Sequence, residues 1–127
     1  MNQSLLIVDD EPPIRFALSK YFEALGCSVD TAASVEETGA LIAKRCYGAA
    51  ILDVRLDHRD AGLDLADVIR GRCQTTKLLM LTAYGSPEME TEARRHGVDA
   101  FLHKPMPLAE IAEVLERLLE GGGEPRA

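Results

Sequence analysis

Three stretches of this chain are apolar without interruption: Leu5-Leu6-Ile7-Val8, Ala49-Ala50-Ile51-Leu52 and Leu78-Leu79-Met80-Leu81. A strand with one wet face alternates apolar and polar residues. Short unbroken runs mark strands covered on both faces, the situation of a parallel sheet between two layers of helices. The predicted strands are Leu5 to Asp9, Val29 to Ala32, Ala49 to Asp53, Leu78 to Thr82 and Val98 to His103.

Helical patterns fill the intervals. Ile14, Ala17, Leu18, Tyr21, Phe22 and Leu25 recur three and four apart, with Pro12 and Pro13 in the first turn and Gly26 at the end. Ser34-Val35-Glu36-Glu37 has the form of a capping box for the second helix. Gly62, Leu65, Ala66, Ile69 and Cys73 stripe the third. The fourth, around Glu88 to His96, has a weak apolar face with Met89 and Ala93. Leu108, Ile111, Leu115 and Leu118 line the fifth, whose polar side is acidic. Strands alternating with helices mean βαβ units, here a (βα)5 open α/β sheet with strand order 2-1-3-4-5. Residues 1–120 form one domain in this reading, and Gly121-Gly122-Gly123 opens a flexible tail or a linker through residue 127.

Polar residues sit where the apolar strands end: Asp9-Asp10 after the first, Asp53 after the third, Thr82 after the fourth, Lys104-Pro105 after the fifth. Ligands of open parallel sheets bind outside these ends, where the strand order reverses. With the order 2-1-3-4-5 that point lies between strands one and three, and Asp9, Asp10 and Asp53 converge there. Clustered carboxylates repel and require a cation. An all-oxygen acidic set suits a hard ion such as Mg²⁺. Three aspartates, one divalent ion and the Lys104 ammonium sum to a charge of about zero at ordinary ionisation. Thr82 and Lys104 supply a hydroxyl and an ammonium donor suited to phosphoryl oxygens. Positioning and charge neutralisation are most of what phosphoryl transfer asks of a protein, and a carboxylate can accept the group as an acyl phosphate.

The chain resembles the receiver domains of bacterial two-component response regulators. Leu6-Ile7-Val8-Asp9-Asp10-Glu11, Ile51-Leu52-Asp53, Leu81-Thr82-Ala83 and Phe101-Leu102-His103-Lys104-Pro105 carry the resemblance, which extends from Leu5 to Leu119. It implies a flavodoxin-like fold with Asp53 as phosphoacceptor. Mg²⁺ would be bound by Asp10, Asp53 and the backbone carbonyl of Arg55, with Asp9 acting through water or indirectly. Thr82 and Lys104 would hold phosphoryl oxygens, and Thr82 and Phe101 would form a switch altering the α4-β5-α5 surface. The Lys104–Pro105 bond would be cis. The donor would be a sensor histidine kinase or a histidine phosphotransfer protein. A downstream protein or output domain would respond, in the cytoplasm, with phosphorylation-dependent dimerisation as a further expectation. Two departures stand out. Asp57 replaces a usual proline in a stretch, 57–61, about one residue longer than usual. Met106-Pro107 replaces a commoner aromatic and capping residue.

Composition excludes other classes. A net charge of -7 disfavours direct binding of nucleic acid, and no apolar run approaches the roughly 20 residues of a membrane span. Cys27, Cys46 and Cys73 are an odd number at wide spacing, read as buried small apolar residues in reducing surroundings, with neither a disulfide framework nor a zinc site. Two other functions compete with this one. A haloacid dehalogenase-type phosphatase would carry a second Asp two residues after the nucleophile, where this chain has Arg55, and a cap domain. A receiver-like module that never takes phosphate would typically lack one of the signature groups, all of which are present; a phosphate carrier without a switch would keep them, and would confine any change to the residues touching the phosphate. His58, His96, His103 and the Arg94-Arg95-His96 patch read as solvated or packing residues.

Overall fold

A computed structural model describes residues 1–56 and 59–121. The elements alternate as expected: β1 (Ser4–Val8), α1 (Pro12–Ala24), β2 (Ser28–Ala32), α2 (Val35–Ile42), β3 (Ala49–Leu52), α3 (Gly62–Arg72), β4 (Lys77–Thr82), α4 (Pro87–Arg95), β5 (Ala100–His103) and α5 (Leu108–Leu119). The strands are parallel, in the order β2-β1-β3-β4-β5. The expected tail from residue 122 onward, and Asp57 and His58, lie outside the described residues.

Alternation along buried strands divides the core in two. Leu6 and Val8 of β1 face a cluster with Leu65, Ala66 and Ile69 of α3 and Ala93 of α4. Leu5 and Ile7 face Leu18 and Phe22 of α1 and Ile111, Leu115 and Leu118 of α5. Both faces of β1 and β3 are thus dry, which is why their sequences are continuously apolar.

Local signals act as expected at most ends. Ser34 accepts a hydrogen bond from the Glu37 amide at 3.1 Å, and the Glu37 carboxylate accepts from the Ala33 amide at 3.1 Å. Gly26 takes φ 97° beyond α1, a conformation costly for a side-chain-bearing residue. Pro107 caps α5 without a side-chain bond, but its carbonyl accepts from the Glu110 and Ile111 amides. Ala17 and Leu25, placed on the core face of α1 by spacing, are exposed instead. β5 begins at Ala100, later than predicted, because the Val98 amide closes α4 through the Ala93 carbonyl. Only Ala93 of α4 is fully buried, so this helix has the thinnest apolar footing of the five.

The cysteine reading is corrected. Cys46 and Cys73 form a disulfide with Cα atoms 5.6 Å apart, and only Cys27 is a buried free thiol. The α2–β3 connection and the C-cap of α3 meet at the N-terminal edge of the sheet, a proximity created by topology across 27 positions of sequence.

Candidate functional site

Parallel strand ends bring the singled-out residues to one edge. The β1 ladder continues one residue past the strand, with the Asp9 amide on the Ala32 carbonyl at 3.1 Å. The Asp53 amide likewise bonds the Val8 carbonyl at 3.1 Å. Both aspartates are 3% exposed. From β5, the Lys104 ammonium reaches between them, donating to Asp9 Oδ2 at 2.7 Å and Asp53 Oδ2 at 2.9 Å. The remaining oxygens are also engaged: Asp9 Oδ1 accepts from the Glu11 amide at 2.9 Å and Asp53 Oδ1 from the Arg55 amide at 3.2 Å. The Lys104–Pro105 peptide bond is cis.

Burial governs the electrostatics. It pushes the Asp9 carboxyl above its ordinary value, against the opposing pull of the Lys104 hydrogen bond. Burial alone would lower the Lys104 ammonium, but hydrogen bonds to Asp9 and Asp53 outweigh it and hold the group well above the ordinary lysine value. Lys104 therefore stays charged.

Glu11 joins the cluster, its carboxylate accepting from Lys104 at 3.2 Å, although sequence reasoning gave it no role. The signal was its position directly after Asp9-Asp10. Asp10 is exposed, and ligand oxygens of Asp9, Asp10, Glu11 and Asp53 lie within 4.8 Å of one another. Four carboxylates face one ammonium, so this donor set fits a hard divalent cation.

Thr82 is fully buried, and its hydroxyl accepts from the Tyr84 amide at 3.1 Å. Its carbonyl accepts from the Lys104 amide at 2.9 Å, tying β4 to the lysine. The Arg55 guanidinium lies 5.0 Å from the Tyr84 ring centroid and 3.9 Å from Asp60. Gly62 explains the close approach of α3: a Cβ there would sit 2.2 Å from the Asp53 carbonyl oxygen. Phe101 is already turned inward, 3% exposed and edge-on to His103 at 5.4 Å. Gly85 makes room, since a Cβ there would be 3.0 Å from the Phe101 ring and 2.4 Å from His103. Phe101 is thus buried in this conformation, while the Thr82 hydroxyl is engaged by its own loop. His96 is not simply solvated: it pairs with Asp67 of α3 at 2.8 Å. Arg94 and Arg95 pair with Glu90 and Glu92, so the expected basic patch is largely neutralised. His58 lies outside the described residues.

A parallel sheet in this order, with buried acids and a lysine converging beyond the ends of β1, β3 and β5, defines the receiver class of α/β domains. The chain belongs to the response regulator receiver domain family, which matches residues 5–116. It is 36% identical over 123 residues to the acid tolerance regulatory protein ActR of Rhizobium meliloti, covering 97% of this chain and 61% of that protein. It is similar to the CheY-like receiver domain structure from Methanospirillum hungatei, with a TM-score of 0.89, 26% identity, and 95% and 96% of the two chains covered. It also resembles NtrX from Brucella abortus, crystallised with ATP, with a TM-score of 0.87, 30% identity, and 95% of this chain but 28% of that one covered. The chain therefore spans about three fifths of the length of ActR and a smaller share of NtrX. It is a signalling domain rather than a classical enzyme. Among the described residues, no helix is long and apolar enough to cross a membrane.

Proposed function

We propose that Asp53 accepts a phosphoryl group from a phosphohistidine on a sensor kinase or phosphotransfer protein. The observation that carries this reading is the Lys104 ammonium held between two buried carboxylates at 2.7 and 2.9 Å. A buried acid cluster with a fixed cation is costly to maintain, and it suits a reaction that places anionic oxygens there. An Asp53 carboxylate oxygen attacks phosphorus, a P–O bond forms, the P–N bond to imidazole breaks, and the imidazole leaves with the bonding pair. Lys104 exchanges its bond to Asp53 for one to a phosphoryl oxygen, and the Thr82 hydroxyl donates a hydrogen bond to a second. Asp10, Asp53 and the Arg55 carbonyl would hold Mg²⁺, with Asp9 orienting its water or Lys104. The ion would supply charge neutralisation on the phosphoryl oxygens.

The chain would thereby catalyse its own phosphorylation and slow dephosphorylation. It would act in the cytoplasm and pass the signal through α4, β5 and α5 to an output domain or downstream protein, or through dimerisation. The thin apolar footing of α4 supports its being the element that responds. With Phe101 already inward, the responding step is movement of Thr82 away from the Tyr84 amide, pulling the loop through Gly85 toward the phosphate. The shift requires the phosphate to bind one of two arrangements better.

A small-molecule phosphodonor tests the reading. Labelling should require Mg²⁺, vanish with chelator, and fall in Asp10→Asn together with the affinity seen in a Mg²⁺ titration. Labelling indifferent to chelator, or an unchanged titration in Asp10→Asn, contradicts the metal assignment.

A further inference from the structure

The Cys46–Cys73 pair lies at the N-terminal edge of the sheet, opposite the end that carries Asp53, and the phosphoacceptor reading does not use it. The two cysteines differ in access: Cys46 is exposed, whereas Cys73 is 3% exposed at the C-cap of α3. Their neighbours hold the two segments together without the sulfur bond. Arg72, next to Cys73, donates to the Ile42 carbonyl at 2.6 Å and the Ala43 carbonyl at 2.8 Å. Thr76 donates its hydroxyl to the carbonyl of Tyr47, next to Cys46, at 2.6 Å. Hydrogen bonds thus bracket both cysteines and would hold the two segments together in the reduced chain. Each cysteine also follows an arginine, and Lys44-Arg45-Cys46 and Arg70-Gly71-Arg72-Cys73 concentrate positive charge in a chain of net charge -7. Arg45 and Arg70 are paired with Asp30 and Asp99, so exposure rather than charge marks Cys46 as the thiol that a disulfide reagent reaches first.

We infer that Cys46 and Cys73 form a reversible thiol–disulfide modification site, with Cys46 the exchanging thiol and Cys73 the resolving one, taking a glutathione-type disulfide as its partner. The Cys46 thiolate attacks one sulfur of the oxidised tripeptide, forming a mixed disulfide and releasing one tripeptide thiolate. Cys73, its proton lost to solvent, then attacks the Cys46 sulfur and displaces the second tripeptide thiolate. Two protein thiols are oxidised and one tripeptide disulfide is reduced to two thiols, protonated from solvent. Reversible disulfides of this kind are the ones met in reducing compartments, and a preserved fold in both states makes exchange possible without unfolding. Cys27, buried and with its thiol pushed up by burial, takes no part.

The test is alkylation followed by intact mass on the folded, pre-reduced full chain across ratios of reduced to oxidised glutathione. Alkylatable thiols, counted after denaturation, should fall from three to one and return to three with dithiothreitol. Cys73→Ser should trap one glutathione on Cys46, and Cys46→Ser should take up none while folded. Three alkylatable thiols at every ratio, disulfide-linked dimers in place of the internal bond, or no adduct on Cys73→Ser would each overturn the inference. Phosphodonor labelling should be equal in both redox forms, so loss of labelling alone speaks to Asp53 and not to this pair.

Discussion

Replacing Lys104 by methionine keeps the apolar stem and removes the charge that two buried carboxylates share. The Asp9 and Asp53 side chains are 4% and 3% exposed, and the ammonium lies 2.7 and 2.9 Å from them. At an effective dielectric of about 20, each contact is worth roughly 6 kcal/mol of Coulomb energy before desolvation is counted. Removing one partner of a buried pair costs about 3–5 kcal/mol in practice. Protonation of one carboxylate caps the loss, because burial already pushes Asp9 upward. Lys104→Met should therefore lose about 3–5 kcal/mol at pH 8 in metal-free urea unfolding, with a fall in Tm on the order of 10 °C. The sign with pH follows. A carboxylate raised in the folded state, as Asp9 is, binds more protons there than when unfolded, so stability of the variant declines as pH rises through its folded value. The gap from the native chain should be small at pH 4 and full at pH 8. Mg²⁺ at ten times its Kd should restore about 1.4 kcal/mol, and it should bind the variant more tightly, since Lys104 no longer repels it. A loss under about 1 kcal/mol at pH 8, or no recovery with Mg²⁺, would refute this account of the cluster.

Gly62→Ala would place a Cβ 2.2 Å from the Asp53 carbonyl oxygen and 2.8 Å from the Val54 Cα, both backbone atoms. It should cost about 2 kcal/mol or more in urea unfolding and slow phosphodonor labelling, whereas Gly71→Ala, with nothing near its Cβ, should not destabilise. His96 is raised above the usual histidine value chiefly by its hydrogen bond to Asp67. Its contribution should be complete below pH 6.5 and lost as pH rises through the folded value. An NMR titration should show that elevation in the native chain and its collapse in Asp67→Asn; an equal midpoint in both would count against the pairing.

The sheet was legible because burial on both faces leaves an unmistakable mark on β1, β3 and β4. The site was legible because polar residues follow the ends of β1, β3 and β5, so topology alone brings Asp9, Asp53 and Lys104 together. Glu11 was harder to assign, since its reach to Lys104 depends on the turn into α1. The cysteine pair was misread because spacing along the chain says nothing of two loops meeting at one sheet edge. Arg70 shows the same gap. Its guanidinium joins the Gln74, Thr76 and Gly97 carbonyls to Asp99, a hub assembled from two connections that no local pattern announces. The inward Phe101 depends on Gly85, which carries no periodic signal at all.

The central claim is that Asp53 carries the phosphoryl group. Borohydride reduces an acyl phosphate to an alcohol, so a phosphorylated aspartate becomes homoserine and its position can be mapped by peptide mass spectrometry. After treatment with phosphodonor and Mg²⁺, the account predicts homoserine at position 53 and at no other aspartate, and none in Asp53→Asn. Homoserine at Asp9, Asp10 or elsewhere in the native chain, or its absence from position 53 in a chain shown by intact mass to be phosphorylated, would contradict it.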